Sequence, residues 1–293
     1  MFGGIAIGLV SAVLQSTAYI FSRRFVMRHK SPFKLMIYSN LLQALFSLTI
    51  IAALMPAVDF HWSLPVAVWL VAFVIFGSLG SFAFFRALRD IEASRLSSLM
   101  GLKLAVLTPL NILYVNTLPG IWQIVAIMLS IIAAVGMNFA GGALKLRGLC
   151  FLCITLFSYS ITDIGAAELT RLVGVGRYSA FLATSLAYLA CGAVTSLTWC
   201  KMKFEKECLL TALPYAVFWF SAMILLFMSF NLIGVLYGTI IQATRGLFSV
   251  ILGWLLLKLG FERLEPPVSA GAWIRRLIMA LLMIGAIVIY NIR

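Results

Sequence analysis

Charge is what this sequence has least of. Only 11% of its 293 residues are charged, against about a quarter in a soluble domain, and 63% are hydrophobic. A water-soluble fold of this length has too little polar surface to cover such a core. Lipid must be the solvent. Acids are scarcest, nine Asp and Glu against 22 Lys and Arg, and His29 and His61 are the only histidines. No HExxH, no carboxylate pair at working spacing and no serine with an evident base occur, so a membrane enzyme acting on lipids is an alternative without its usual constellation. A lipid flippase is the other alternative. No glycine-rich nucleotide loop is present, which argues against direct use of ATP. The five cysteines are an odd number. Cys150 and Cys153 form a CxxC in an apolar run with no nearby His or second pair, which fits packing residues rather than zinc or redox chemistry. No cofactor and no metal is expected. The N-terminus has no basic leader region and no convincing small-residue cleavage site, so it reads as a first span.

Long apolar runs fill the rest. A span needs roughly 20 apolar residues, and on that basis helices are predicted at 3–21, 34–54, 66–86, 96–115, 120–141, 148–168, 178–199, 210–230, 234–257 and 273–291. No segment suits a soluble domain. The cations then sort by side. The odd-numbered connections carry Arg23, Arg24, Arg28, Lys30, Lys34, Arg86, Arg89, Arg95, Lys145, Arg147, Lys201, Lys203, Lys206, Lys258, Arg263, Arg275 and Arg276. The even connections and the termini carry Arg171, Arg177 and Arg293. Seventeen against three places the odd connections in the cytoplasm and both termini outside. The net charge of +13 is thus the mark of an anionic membrane face and not of a nucleic-acid partner.

The two halves also echo each other. Ala93 to Tyr114 and Val235 to Leu256 each begin small and polar, carry one cation midway and then run apolar. The two cations, Lys103 and Arg245, lie 142 residues apart, about half the chain. Five spans per half is an odd number, so the second half enters the membrane inverted. The fold class expected is an all-α polytopic membrane protein, with ten transmembrane helices as two inverted five-helix repeats, 1–147 and 148–293, around a central cavity.

At Phe84-Phe85-Arg86-Ala87-Leu88-Arg89-Asp90-Ile91-Glu92-Ala93-Ser94 the sequence resembles the helix junction of the drug/metabolite transporter superfamily, EamA type. The apolar helix from Leu96, the glycine-punctuated helix ending near Gly136, and a looser second pass from Met228-Ser229-Phe230-Asn231 through Gly238 to Gly285 follow the same plan. The resemblance implies secondary transport of a small metabolite in a bacterial cytoplasmic membrane, with amino acids, sugars, nucleotide-linked metabolites and drugs as the substrate range. Two family features depart. Asn116-Thr117 stand where the family has a Gly-Glu pair, whose second-half counterpart is displaced to Gly260-Phe261-Glu262. The resemblance also implies cytoplasmic termini, opposite to the charge count.

An ionisable side chain at the bilayer centre costs roughly 2.5–3.5 kcal/mol on insertion scales, so it has a partner or a purpose. Lys103, Asp163 and Arg245 are the three. Two cations on corresponding helices fit an anion site for a carboxylate or phosphate, with Arg245 offering a bidentate fork. An internal pair between Asp163 and either cation fits the sequence as well, and a pair that substrate must open serves both roles. Asp163 is also the candidate carrier of a coupling proton. Gln15, Tyr19, Asn40, Gln43, Tyr159 and Gln242 are the polar residues expected beside the charges. Most serines and threonines are expected to bond back to their own helices. Pro109 and Pro214 are the expected bending points, and Gly4/Gly8 and Gly234/Gly238 have the spacing for close helix approach. Trp219 and Trp254 are expected to pack in the core or against lipid. The expected partners are a small-molecule substrate, the bilayer, and a coupling proton or ion.

Overall fold

A computed structural model describes residues 2–91, 93–138, 145–199, 203–258 and 270–290. Among them the chain is helical throughout: α1 Phe2–His29, α2 Pro32–Leu54, α3 Leu64–Ala87, α4 Ala93–Leu99, α5 Lys103–Val115, α6 Ile121–Asn138, α7 Leu146–Val173, α8 Ser179–Trp199, α9 Lys206–Ile233, α10 Val235–Ala243, α11 Arg245–Lys258 and α12 Ala270–Ile289. Eight segments are long and apolar enough to cross a bilayer, counting α4–α5 as one and α10–α11 as another. Several helices outrun the predicted spans. α1, α7 and α9 extend to 28 residues each, because their polar and cationic end turns stay helical where their side chains reach the interface.

The fold is inside-out relative to a soluble protein. Leu45, Leu48, Val68, Val71, Ile75, Leu213, Val217, Ile278 and Leu281 are exposed, while Ser11, Gln15, Ser16, Lys103 and Arg245 are buried. A lipid-facing surface and a polar interior produce that distribution. Cys150 and Cys153 are free and exposed on α7.

The first, third, fifth and seventh connections meet at one end. Lys34 pairs with Glu205, Arg28 with Glu207, and Lys145 with Asp90 at 3.8 Å. Arg89 donates to the Lys30 carbonyl, and Arg23 to that of Ile91 at 3.1 Å. At the other end Gly4 lies against Ile233, and Trp69 meets Tyr114 edge-on at 5.4 Å. The chain therefore has a cation-rich end and a cation-poor end, with the start of α1 at the latter. Part of the charge count lies elsewhere: Lys201, Arg263 and Arg293, together with Gly260-Phe261-Glu262, fall outside the described residues.

The breaks in regular helix do not fall at the two prolines. Pro109 is carried within α5 and Pro214 within α9. The interruptions come instead just before the two buried cations. A 3₁₀ turn at Met100–Leu102 precedes Lys103. Around Thr244, N–H groups bond three residues back, Thr244 to Ile241 at 3.0 Å and Leu247 to Thr244 at 2.9 Å. A neighbouring helix fills the space near a membrane proline and restores its bonding, whereas a 3₁₀ turn needs no proline at all.

Gly8 behaves as its spacing predicts, since a Cβ there would lie 2.9 Å from Ser229 Oγ and 3.0 Å from Ile241. Gly234 has a different job. Its φ of +81° and ψ of 160° form a backbone conformation open essentially to glycine alone, and they turn the chain from α9 into α10.

Candidate substrate cavity

One cavity lies halfway along the helices. Gln15 and Tyr19 from α1, Asn40 from α2, Ser78 and Ser81 from α3, and Lys103 from α5 line it from the first half. Tyr159 and Asp163 from α7, Tyr188 from α8, Trp219 from α9, and Gln242 and Arg245 around the Thr244 turn line it from the second. The cavity volume is about 50 Å³. One water needs roughly 10–15 Å³ by that measure, so the cavity as it stands holds a few waters.

The tight turns aim the charges. In 3₁₀ geometry residues three apart eclipse each other, which brings Gln242 and Arg245 onto the same wall. The Arg245 carbonyl is held from outside its helix by Ser16 Oγ at 2.9 Å and Ser97 Oγ at 3.4 Å, and Ser249 Oγ donates to Ser97 Oγ at 2.7 Å. Two neighbouring helices, α1 and α4, thus fix the backbone that presents the guanidinium.

A polar chain then crosses the cavity wall. The Lys103 ammonium pairs with Asp163 and donates to Gln242 Oε1 at 2.7 Å. Gln242 Nε2 donates to Gln15 Oε1 at 3.0 Å, and Arg245 Nη1 donates to that same oxygen at 2.8 Å. Gln15 Nε2 passes the chain to Ser11 Oγ at 3.0 Å, which donates to the Ala222 carbonyl at 2.7 Å. The orientation of both amides follows from the cations, which donate only and so take the oxygens. Thr239 Oγ1 adds a longer bond to Asp163, 3.4 Å.

The charges do not cancel. Among the described residues Asp163 is the one carboxylate in the lining, against Lys103 and Arg245. Among the described residues Arg245 forms no ion pair, is 2% exposed, and leaves its Nε without a partner. Its guanidinium lies 5.7 Å from the centre of the Tyr19 ring. The remaining wall is aromatic. Trp219 lies 5.8 Å from Tyr19 and stacks on Tyr215 at the same separation, and its Nε1 donates to Tyr188 Oη at 2.8 Å. The arrangement offers a buried positive fork beside a flat apolar wall.

Residues 2–139 match the model of the EamA-like transporter family. The match covers a little under half of the chain. The protein is an integral membrane protein with the fold of small-molecule permeases. No curated protein matches the sequence. A solved structure, a crystal structure of a protein, aligns over 98% of this chain and 96% of its own with a TM-score of 0.63. At 14% identity that likeness is one of fold.

Of the residues singled out in sequence, Lys103, Asp163, Arg245, Gln15, Tyr19, Asn40, Tyr159 and Gln242 come together on this cavity, and Gln43 does not line it. Gln43 is buried in α2 with its amide nitrogen unpartnered. Asn111 lies in a second hollow near Gly234 at the cation-poor end. Back-bonding is as anticipated for Thr17, Ser160 and Thr162, which donate to carbonyls four residues earlier. Trp219 and Tyr188 were missed as lining residues. The available signal was their chemistry: a buried indole or phenol needs a partner for its polar tip, and these two satisfy each other. The Trp254 side chain lies outside what is described.

Proposed function

We propose that the protein is a secondary transporter for a small metabolite with an anionic group, zwitterions such as amino acids and organophosphates included. One observation carries the reading. Lys103 already has its counter-ion in Asp163, whereas Arg245 lines the same cavity with a neutral amide as its acceptor. A buried cation that has been left uncompensated is costly unless an anion visits it. The substrate's anion docks on Arg245, and its apolar body lies along Tyr19 and Trp219. Asn40 and Tyr159 supply further polar contacts.

Movement follows by alternating access between two inverted halves, 1–147 and 148–293. The helix pairing supports this symmetry: α1 packs on α9, α3 on α7, α2 on α8, and α6 on α12. Numbered as ten passes, these are 1 with 8, 3 with 6, 2 with 7, and 5 with 10. Exchanging each pass with the one five places away returns the same set of pairs. The few waters' worth of room is then a contracted state that opens to one side at a time. The Lys103–Asp163 pair is the element that a coupling proton or ion resets, with Asp163 as the proton's seat. The setting is a bacterial cytoplasmic membrane, and by the cation count the cation-rich end faces the cytoplasm.

The test is thermal stability in detergent against a panel of amino acids, sugar phosphates and nucleotides. A ligand that binds the folded state raises the melting temperature with concentration. The shift is expected to vanish in Arg245→Ala and to weaken in Lys103→Ala. A full response in both variants removes the two cations from the site.

A further inference from the structure

We propose that Gln15 sets the charge specificity of the cavity by positioning Arg245 with a neutral acceptor, so that the guanidinium is oriented but not neutralised. The proposal rests on the anion-site reading above and concerns a different residue. The two cavity cations are handled in opposite ways. Lys103 meets a carboxylate, Asp163. Arg245 meets the amide oxygen of Gln15, a side chain that is itself fully buried. That oxygen is shared with Gln242, and the amide nitrogen is tied to Ser11, whose hydroxyl is tied in turn to the α9 backbone. Gln15 therefore has no freedom to turn away.

The consequence is electrostatic. An acid at this position would supply Arg245 with a permanent counter-ion and bring the lining, now Lys103, Arg245 and Asp163, to neutrality. An amide has almost the same shape and accepts the same bond without the charge. A guanidinium has five N–H donors in a fixed fork. The Gln15 bond occupies Nη1, while Nε is buried and unpartnered, so the guanidinium keeps donor capacity that a substrate anion can use once the cavity opens. Gln15 acts through Arg245 and is a positioning residue.

The experiment uses the full-length protein in detergent with two probes of nearly equal shape. Benzenesulfonate is an anion at every working pH, and benzenesulfonamide is its neutral counterpart. Binding is read by calorimetry or by quenching of tryptophan emission. The native protein is expected to favour the sulfonate at least tenfold, and Arg245→Gln to abolish that preference. Gln15→Glu is expected to abolish it at neutral pH and to regain it on acidification, when the introduced carboxylate takes a proton and becomes an amide mimic. The groups around that position that titrate or carry charge are Lys103, Asp163, Arg245, Tyr19 and Tyr159, so the native pH profile serves as the reference. Gln15→Met introduces no charge and is expected to keep the sign of the preference with several-fold weaker sulfonate binding, because the fork is no longer held. It also stands as the test if the glutamate variant does not fold.

The outcomes separate. No sulfonate preference in the native protein overturns the anion-site reading and the role of Gln15 with it. A preference that needs Arg245 but survives unchanged in Gln15→Glu overturns the role of Gln15 alone. Equal, pH-independent losses for both probes in the Glu and Met variants would mean that Gln15 only supports packing, and unchanged sulfonate affinity in Gln15→Met would mean that it does not position Arg245.

Discussion

Lys103 and Arg245 are two buried cations of one cavity in different electrostatic circumstances. The ion pair of Lys103 with Asp163 is at most about a tenth exposed on either side chain, and breaking such a pair leaves a charge without a partner, at a cost of about 3–5 kcal/mol. Asp163→Asn is therefore expected to lower the melting temperature more than the double change Lys103→Met with Asp163→Leu, which removes both charges. A double variant less stable than the single one would contradict the pairing. The burial of all three ionisable residues was legible in the sequence, because few charges interrupt the apolar runs. Which cation Asp163 would choose was not. That choice depends on α5 and α7 lying side by side, a contact that no local pattern encodes.

At the scale of the element, helix geometry decides where the charges point. Proline was the visible signal for a bend, yet the 3₁₀ turns fall at Met100–Leu102 and around Thr244. Sequence offered no warning, since a 3₁₀ turn is stabilised by what packs around it. Ser16 is part of that packing through its bond to the Arg245 carbonyl. Ser16→Ala is expected to cost about 1 kcal/mol of stability and to weaken anion-dependent stabilisation, because the turn that aims Arg245 loses one support. A variant with native ligand response would detach Ser16 from the site. Gly234→Ala is expected to cost about 1–3 kcal/mol, since the φ of +81° is strained for any residue with a Cβ. Denaturation in detergent would expose a smaller effect. Helix existence was legible almost everywhere from hydropathy. Helix ends were not, because amphipathic turns at the interface continue α1, α7 and α9 past the apolar core.

The whole molecule is organised by sidedness. The cation-rich end holds Asp90, Glu205 and Glu207, three of the chain's nine acids, each paired with a cation from another helix. Hydrogen bonds from Lys34 and then Cys208 hold the Glu205 carboxyl below the usual carboxylate range. Its contribution to stability is therefore complete above the ordinary carboxylate pKa and is lost only as pH falls through the lowered value. The pair is partly exposed, so the effect is small and screened by salt. Glu205→Gln is expected to remove this part of the acid limb of a stability profile. An unchanged limb would mean that the Lys34 contact does not persist in solution. The grouping of the first, third, fifth and seventh connections was legible from the cation count, since alternation of sides follows from the number of spans. Convergence of α1, α5, α7 and the α10–α11 turn on one cavity was legible only through the half-chain echo around Lys103 and Arg245. The measurement that bears most directly on the whole account is uptake, into proteoliposomes, of the anion that best stabilises the purified protein, compared between the native chain and Arg245→Met. Saturable uptake by the native protein, cut at least tenfold in the variant while its melting temperature stays within a few degrees, is the predicted result. Equal uptake by both would contradict it.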